Sequence, residues 1–388
     1  MHIRHALTAL AVAAGLAAPV AAAAEDTVKF GLILTLSGPQ SASGRQALAG
    51  AKLYLQQHGD KAGGKKIELV VKDDQGVADI TKRLAQEAIT SDKVAAIGGF
   101  SLTPLALSVA PLITQAKVPA IIMTAGTSVI TEKSPYFVRT SFTLPQQSFP
   151  MAEYMAKHGA KTAVTLVTDY GPGIDAQNAF TKKFEEMGGK VLEQIHAPLA
   201  NPEFAPYLQR AVDLKPDTLF LFVPSPTAGT LMKQVVDRGV IAAGIKVVGT
   251  GDITDDDQLN DMPDAVLGLV TSHFYSAAHD SPMNKQFVAD FGKANEGKRP
   301  DFVAVSAYDG IEAFAKALDK TKGDTDGTKL VDAMKGMSFE SPRGTMTIDP
   351  NTRDIVQDIY IRKVERKDGQ LWNIEFDKIP NVKDPLHP

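Results

Sequence analysis

Short turns rich in serine, threonine and glycine follow several buried-strand patterns in this sequence, and most of them lead directly into a helix. They lie at residues 37–44, 98–104, 124–128, 169–173 and 224–227. Hydroxyls and free backbone N–H groups at a helix start are donors that hold a small anion. In an open α/β sheet, the turns after parallel strands gather outside the carboxyl ends of the strands, where ligands bind. The pattern therefore predicts a cleft that binds a small anion such as a carboxylate.

The same hydroxyls also suit a structural role at helix starts. Thr103 precedes Pro104, which matches an N-cap followed by a proline in the first turn, and Ser43 is placed to cap the first helix. The two roles are compatible, because a capped helix start still has other N–H groups free. Capping and ligand binding therefore both stay open for each hydroxyl.

Signatures of catalysis and of bound metals are missing from the chain. It contains no cysteine, and it has no Gly-x-Ser-x-Gly, Ser-x-x-Lys or His-Glu-x-x-His motif. The acidic cluster at 252–257 lacks the glycine and the distal glutamate of a calcium loop, and we interpret it as the acid-rich start of a helix. We therefore expect a protein that is not an enzyme and that holds no metal and no cofactor.

One segment resembles a dinucleotide-binding fingerprint. Gly171-Pro-Gly173-Ile-Asp-Ala176 matches Gly-x-Gly-x-x-Ala, and Glu193 follows about twenty residues later. However, Pro172 removes one N–H from the turn, and Tyr170 crowds the approach of a pyrophosphate. We interpret the segment as a tight strand-to-helix turn that exposes Tyr170 at the carboxyl end of a strand.

Strand-like apolar runs alternate with helical patterns in two blocks, the first ending near residue 124 and the second running from 162 to 272. Such alternation in a chain of this length indicates an α/β protein with βαβ units, mainly parallel sheets and two lobes. The proline-bounded stretch 139–150 is predicted to be an extended crossing between the lobes, and Pro111 is predicted to break its helix. The last third is predicted to be helical and then antiparallel, closing back onto both lobes.

The N-terminal residues 1–24 have the features of a cleavable signal peptide. Arg4 precedes a stretch rich in alanine and leucine, and small residues at Ala22 and Ala24 suit a cut after Ala24. No later stretch approaches the ~18 uninterrupted apolar residues of a membrane helix. The formal net charge of −4 argues against nucleic acid or an anionic membrane surface as a partner. We therefore expect a secreted, periplasmic monomer that does not insert into the membrane.

Seven segments of the chain occur in an order and at spacings that are familiar from one protein family. They are Phe30-Gly-Leu-Ile-Leu-Thr-Leu-Ser-Gly-Pro, Lys66-Ile-Glu-Leu-Val-Val-Lys-Asp-Asp74, Ala96-Ile-Gly-Gly-Phe-Ser101, Val118-Pro-Ala-Ile-Ile, Arg139-Thr-Ser, Thr168-Asp-Tyr-Gly171 and Lys215-Pro-Asp-Thr-Leu-Phe220. Together they resemble the leucine/isoleucine/valine-binding family of periplasmic ABC-transporter solute-binding proteins.

The resemblance implies a type I periplasmic-binding-protein fold, with two doubly wound parallel-sheet lobes joined by three hinge crossings. The N-terminal lobe would comprise residues 25–143 plus 276–345, and the C-terminal lobe residues 144–275 plus 346–388. The lobes would close on a small carboxylate and deliver it to an inner-membrane ABC permease. An alternative on the same fold is a ligand-sensing module that docks to a receptor or regulator.

The resemblance also implies roles for individual residues. In the family, the first lobe binds the ligand carboxylate after its third and fourth strands, and either Ser101 or Leu102 occupies the position of the key serine. An aromatic residue at Tyr170 would cover the ligand, and an acid at or near Asp252 would bind an α-amino group. The candidate ligand-binding residues are Ser43, Phe100, Ser101, Thr103, Thr124, Ala125, Gly126, Thr127, Tyr170, Ser225, Asp252 and Tyr275.

The ligand class stays open at this point. Pro224-Ser225-Pro226 stands where amino-acid binders often carry a tyrosine, which weakens the amino-acid assignment. Phe100, Tyr170 and either Phe274 or Tyr275 are predicted to form an aromatic wall. An aromatic or branched acid, a 2-oxo acid and an amino acid therefore all remain candidates.

Overall fold

The computed structural model describes residues 26–387 of the chain. The strands are β1 (Thr27–Leu34), β2 (Lys61–Ala62), β3 (Lys65–Asp73), β4 (Ala96–Gly99), β5 (Ala120–Ile122), β6 (Phe137–Arg139), β7 (Thr162–Thr168), β8 (Lys190–Ala197), β9 (Thr218–Phe222), β10 (Lys246–Thr250), β11 (Val270–His273), β12 (Ser338–Ser341), β13 (Gly344–Ile348), β14 (Ile355–Lys367) and β15 (Gln370–Val382). The helices are α1 (Ser41–His58), α2 (Ala78–Glu87), α3 (Thr103–Ala116), α4 (Leu144–Lys157), α5 (Gly171–Glu186), α6 (Ala205–Leu214), α7 (Ala228–Asp237), α8 (Pro282–Ala294), α9 (Phe302–Lys320) and α10 (Gly327–Met334).

The first sheet has six strands in the order β2-β3-β1-β4-β5-β6, all parallel except the short β2. Its central strand β1 is apolar on both faces, as expected for a parallel sheet covered by helices. Phe30 and Leu32 belong to the cluster that contains α1 and α9, and the Phe30 ring lies 5.0 Å from that of Phe314 in α9. Ile33 instead packs with α2 and α3.

The second sheet has nine strands in the order β12-β13-β14-β11-β10-β9-β7-β8, with β15 paired to β14. Strands β7 to β11 are parallel and the C-terminal strands are antiparallel. Phe220 of β9 stacks on Phe180 of α5 at 4.3 Å, whereas Leu219 and Leu221 face α6 and α7. The predicted lobe boundary at residue 345 falls inside β13, whose pairings all lie in this sheet.

The chain passes between the two sheets at three places, between β6 and α4, between β11 and α8, and between α10 and β12. A buried ion pair holds the first crossing. Arg343 pairs with Asp309 of α9 at 2.6 Å and donates to the carbonyl oxygens of Thr140 and Ser141 at 2.6 and 3.2 Å. The first crossing is therefore tied to both lobes by hydrogen bonds rather than being a loose linker.

The two-lobed α/β architecture is confirmed, but two local predictions are wrong. The stretch 139–150 is not extended throughout, because α4 begins at residue 144. Pro145 stands in the first helical turn, where its missing N–H costs nothing, and the Gln146 side chain accepts from the Thr143 N–H at 2.9 Å. Pro111 does not break α3. The helix runs from Thr103 to Ala116 and buries apolar residues on both sides of that proline.

No helix among residues 26–387 combines the length and the apolar character that a bilayer crossing requires. The predicted signal peptide, residues 1–24, lies outside the described residues.

Candidate ligand-binding site

A cleft lies where the carboxyl ends of the parallel strands of both sheets meet, and the space inside it that admits the centre of a water-sized sphere is about 30 Å³. The two lobes are therefore close together around it. The cleft is lined by Gln40, Ser43, Ser101, Leu102, Thr103, Thr124, Ala125, Gly126, Phe142, Leu144, Tyr170, Pro172, Phe222, Pro224, Ser225, Pro226, Asp252 and Phe302.

Most of the predicted ligand-binding residues are brought together at this cleft. Those that line it are Ser43, Ser101, Thr103, Thr124, Ala125, Gly126, Tyr170, Ser225 and Asp252. They come from both sheets, because the turns after β4, β5, β7, β9 and β10 converge there. Their contact with a ligand stays a prediction.

Three predicted residues do not line the cleft. Phe100 is fully buried in the core between the first sheet and α3. Tyr275 is also fully buried, and its hydroxyl donates to Asn284 at 3.1 Å. The hydroxyl of Thr127 lies 2.7 Å from that of Thr103, and this contact occupies it inside the first lobe. Phe100 and Tyr275 therefore do not form the aromatic wall that was predicted for them.

The turn after β4 directs Ser101 into the cleft through an unusual backbone conformation. Phe100 adopts a left-handed φ of 69°, which is costly for a bulky residue. Its buried ring, its N–H bond to Ile33 O at 3.3 Å and its carbonyl bond from Ala125 N–H at 3.1 Å hold this conformation. Strain of this kind is characteristic of ligand-binding turns, where the surrounding structure compensates for it.

The loop after β5 is held from behind by Arg139, which is fully buried. Its guanidinium donates to the carbonyl oxygens of Ala125, Thr127 and Phe142 at 2.5, 2.7 and 3.0 Å. Its Nε lies 2.6 Å from Asp354 Oδ1. The loop carbonyls are thereby engaged on the side of Arg139, and Asp354 balances the guanidinium charge.

The first-lobe side of the cleft offers polar groups that the protein itself does not satisfy. Within the described residues, the side chains of Gln40, Ser43, Ser101 and Thr124 have no hydrogen-bond partner, and neither do the backbone N–H groups of the lining residues Ser101 and Gly126 or of Thr127 directly after Gly126. The N-terminus of α3 points its partial positive charge to the same place. No lysine, arginine or histidine lines the described cleft, so neutral donors would have to hold an anion there.

The predicted capping roles are wrong for both hydroxyls. Leu102, with an extended backbone, occupies the N-cap position of α3, and Thr103 is already helical. Helix α1 begins at Ser41, so Ser43 lies in its first turn. Neither hydroxyl therefore caps a helix. Of the two candidates for the key serine, Ser101 and Leu102, both line the cleft and only Ser101 carries a hydroxyl.

The remaining wall is aromatic and apolar, and sequence reasoning missed most of it. Tyr170 stacks on Phe222 with centroids 6.2 Å apart. Phe142 and Phe302 meet edge to face at 5.5 Å. The missed lining residues are Gln40, Phe142, Leu144, Pro172, Phe222 and Phe302. Several follow a crossing or begin a helix, and that placement is the one signal that would have indicated them.

The acidic cluster at 252–257 is not the start of an α-helix, so that interpretation is wrong. Residues Gly251–Thr254 form a single 3-10 turn, and Asp252, Asp255 and Asp256 are buried. Burial raises the pKa of Asp252 to about 6 and that of Asp255 to about 7. Among residues 26–387, no group of three or more acidic, histidine or cysteine side chains is arranged to hold a metal ion.

The two lobes touch each other around the cleft. The Ser128 N–H in the first lobe donates to Asp175 of α5 at 2.9 Å. Thr127 packs so closely on Gly171 that a Cβ there would lie 2.6 Å from the Thr127 hydroxyl oxygen. These contacts define a closed arrangement, in which a ligand would be enclosed by both lobes.

A family model described as "Periplasmic binding protein" matches residues 27–370. The chain belongs to this family. The predicted resemblance and the type I periplasmic-binding-protein fold are therefore confirmed. A curated relative of this periplasmic binding protein, Leu/Ile/Val-binding protein homolog 6 of Brucella abortus, is 42% identical over 384 residues, which cover 98% of each chain.

Two crystal structures of ABC-transporter solute-binding proteins from Rhodopseudomonas palustris are similar to this periplasmic binding protein. One, from strain BisB5 in complex with 3,4-dihydroxybenzoic acid, is 57% identical with a TM-score of 0.91, and the match covers 93% of this chain and 99% of that one. The other, in complex with 4-hydroxybenzoate, is 41% identical with a TM-score of 0.89 and has the same coverage.

Replacing Arg139 is expected to destabilise this periplasmic binding protein strongly, because the buried Asp354 would lose its cation. Arg139→Met should lower the free energy of unfolding by about 3–5 kcal/mol, measured by urea denaturation. Adding Asp354→Asn should restore part of the loss. Arg210→Met, which breaks an exposed pair with Glu193, is the control and should have little effect. A loss for Arg139→Met no larger than the control's would contradict the role given to Arg139.

Proposed function

We propose that this periplasmic binding protein captures an aromatic carboxylate, such as a hydroxybenzoate, in the cleft between its lobes. It acts in the periplasm, which it reaches through its signal peptide, and it delivers the ligand to an ABC importer of the inner membrane. The observation that carries the proposal is the composition of the cleft, where unsatisfied neutral donors face an aromatic wall. The ligands of the two Rhodopseudomonas proteins support the same class of ligand.

The carboxylate end of the ligand is assigned to the first lobe. Ser101, the N–H groups of Gly126 and Thr127, and the start of α3 supply donors without a cation. A carboxylate accepts several hydrogen bonds of this kind, and charge-assisted bonds are the strong ones. The Arg139 guanidinium, whose charge is balanced by Asp354, contributes by holding the loop that carries these N–H groups.

The ring end of the ligand is assigned to the wall formed by Phe142, Tyr170, Phe222 and Phe302, together with the prolines of the second lobe. Burying ~150–250 Å² of an aromatic group at ~25 cal/mol/Å² contributes roughly 4–6 kcal/mol before ordering costs are subtracted. A flat ring fits walls of stacked rings and prolines, whereas a branched aliphatic side chain makes less use of them.

A branched-chain amino acid is the second candidate ligand. The relative from Brucella carries the name of a Leu/Ile/Val-binding protein homolog, and the Asp252 carboxyl in the cleft is able to accept from an ammonium group. The aromatic wall and the prolines around Ser225 favour the aromatic acid over this alternative.

Calorimetric titration with benzoate, 4-hydroxybenzoate, leucine and phenylalanine tests the proposed function. We expect 4-hydroxybenzoate to bind and leucine to bind at least a hundredfold more weakly, because the leucine side chain is not flat and cannot stack against the aromatic wall. Tight binding of leucine with no measurable binding of either benzoate would overturn the aromatic-acid proposal and restore the amino-acid alternative.

Removal of the Ser101 hydroxyl tests the carboxylate end. A hydrogen bond to a charged group contributes roughly 1.5–3 kcal/mol, so Ser101→Ala should weaken 4-hydroxybenzoate binding about tenfold or more. Thermal stability should hardly change, since this hydroxyl has no protein partner in the described residues. Ser108→Ala, which removes a hydroxyl in helix α3 that donates to Leu105 O outside the cleft, is the control. Equal affinities for both variants would remove Ser101 from the site.

A further inference from the structure

We propose that Asp252 selects ligands whose aromatic ring carries a hydroxyl directed at the second lobe, with the carboxylate acting as the acceptor for that hydroxyl. The inference rests on the proposed function and concerns the same cleft. It assigns to one residue the discrimination between hydroxylated and plain benzoates.

Asp252 is a buried acceptor with capacity left for a ligand. It lines the cleft and is 4% exposed, and its Oδ2 accepts from the Thr250 hydroxyl at 2.8 Å. Within the described residues, no other side chain donates to it and no lysine or arginine pairs with it within 4 Å. The Thr250 hydroxyl and the backbone N–H of Asp252 are its donors, so the carboxylate still has acceptor capacity for a donor brought by a ligand.

The surroundings of Asp252 favour a neutral donor over an ammonium group. Arg362 lies in strand β14, two strands away from β10 in the sheet, and its Nη2 donates at 3.2 Å to the carbonyl of Gly251, the residue just before Asp252. This positive charge, which also pairs with Asp256 at 3.6 Å, offsets part of the attraction of Asp252 for a second cation. The neighbouring lining residues Pro224 and Pro226 bring no side-chain acceptor, and the hydroxyl of Ser225 between them bonds Asp255, whereas an ammonium needs acceptors for three N–H bonds. A hydroxyl needs only one.

Buried side chains pack behind Asp252. His273 of β11 is fully buried, and its Nε2 lies 3.9 Å from Asp252 Oδ2. A Cβ at Gly251 would collide with His273 and Arg362, so glycine there lets the loop rest directly on both side chains. The His273 ring also packs at 4.8 Å on Phe302, a lining residue. The carboxylate and the aromatic wall are thus parts of one packed unit.

The titratable and charged groups that face Asp252 are Arg362 of β14, His273 of β11 and Tyr170 at the start of α5. Burial, together with Arg362 and Arg343, keeps the pKa of His273 well below its usual range, so it stays neutral. Burial and the Asp252 charge raise the pKa of Tyr170. Near neutral pH, Asp252 is therefore the group of this set that changes charge.

Calorimetry on the full chain with benzoate, 4-hydroxybenzoate and 4-methoxybenzoate tests the inference. The wild type should prefer 4-hydroxybenzoate over benzoate at least tenfold, and 4-methoxybenzoate, which keeps the oxygen but has no donor, should gain nothing. Asp252→Asn should weaken 4-hydroxybenzoate at least tenfold and change benzoate less than threefold. Asp261→Asn, an exposed acid after the same loop, is the control with the same charge change.

The pH dependence of the wild type supplies a second readout that needs no variant. A ligand hydroxyl stabilises the ionised carboxylate and so lowers the pKa of Asp252 in the complex. The extra affinity for 4-hydroxybenzoate over benzoate should therefore be full above the ligand-free pKa of about 6 and should be lost as the pH falls below it.

A preference that is absent in the wild type, independent of pH between 5 and 8, or lost equally for benzoate in Asp252→Asn would overturn the role of Asp252. These outcomes differ from failure of the proposed function, in which neither benzoate nor 4-hydroxybenzoate binds the wild type and leucine does.

Discussion

The buried guanidinium of Arg139 is the contact on which the binding site depends. A cleft that holds an anion without a cation needs N–H groups that the fold leaves unpaired, and unpaired buried groups are costly. Arg139 donates hydrogen bonds to the carbonyl oxygens of Ala125 and Thr127. These bonds fix the loop that carries the unpaired N–H groups. Its own burial is compensated by Asp354 at 2.6 Å, on the connection from β13 to β14. One side chain thus joins the site in the first lobe to the sheet of the second lobe.

The hinge and the wall of the cleft share the same aromatic residues. Phe142 lies in the first crossing and stacks on Phe274 of the second crossing at 5.3 Å. Phe302, at the start of α9, packs edge to face on both rings. Since Phe142 and Phe302 line the cleft, the wall that a ligand ring would touch is assembled where the lobes are joined. The contacts of a ligand in this place depend on the relative position of the lobes. Binding is therefore tighter in one arrangement of the lobes than in another, and this difference couples binding to closure.

The main features of the fold and much of the cleft could be predicted from the sequence. Parallel βαβ units bring the turns after their strands to one edge, so Ser101, Gly126 and Tyr170 could be assigned to one cleft without a structure. The position of Phe100 next to Ser101 in the sequence wrongly suggested that its ring also faces the cleft. Neighbouring residues of an irregular turn point in different directions, and here the left-handed backbone at Phe100 sends its ring into the core and Ser101 into the cleft.

The misjudged parts depended on tertiary packing. The acids at 252–257 have the composition of an exposed helix start, but Asp252 and Asp256 are buried beside Arg362, which comes more than a hundred residues later in the chain. Phe142 and Phe302 lie in segments without a strand-turn-helix signature, and only their positions in a crossing and at a helix start distinguish them. Long-range packing of this kind has no periodicity in the sequence.

A crystal structure of the protein with 4-hydroxybenzoate tests the central claim most directly, because it shows which lobe receives the carboxylate. The account predicts the carboxylate within hydrogen-bond distance of Ser101 and of the N–H groups of Gly126 and Thr127, the ring between Tyr170 and Phe302, and the hydroxyl on Asp252. A ligand bound in the reverse orientation, or one outside the cleft between the two sheets, would contradict it.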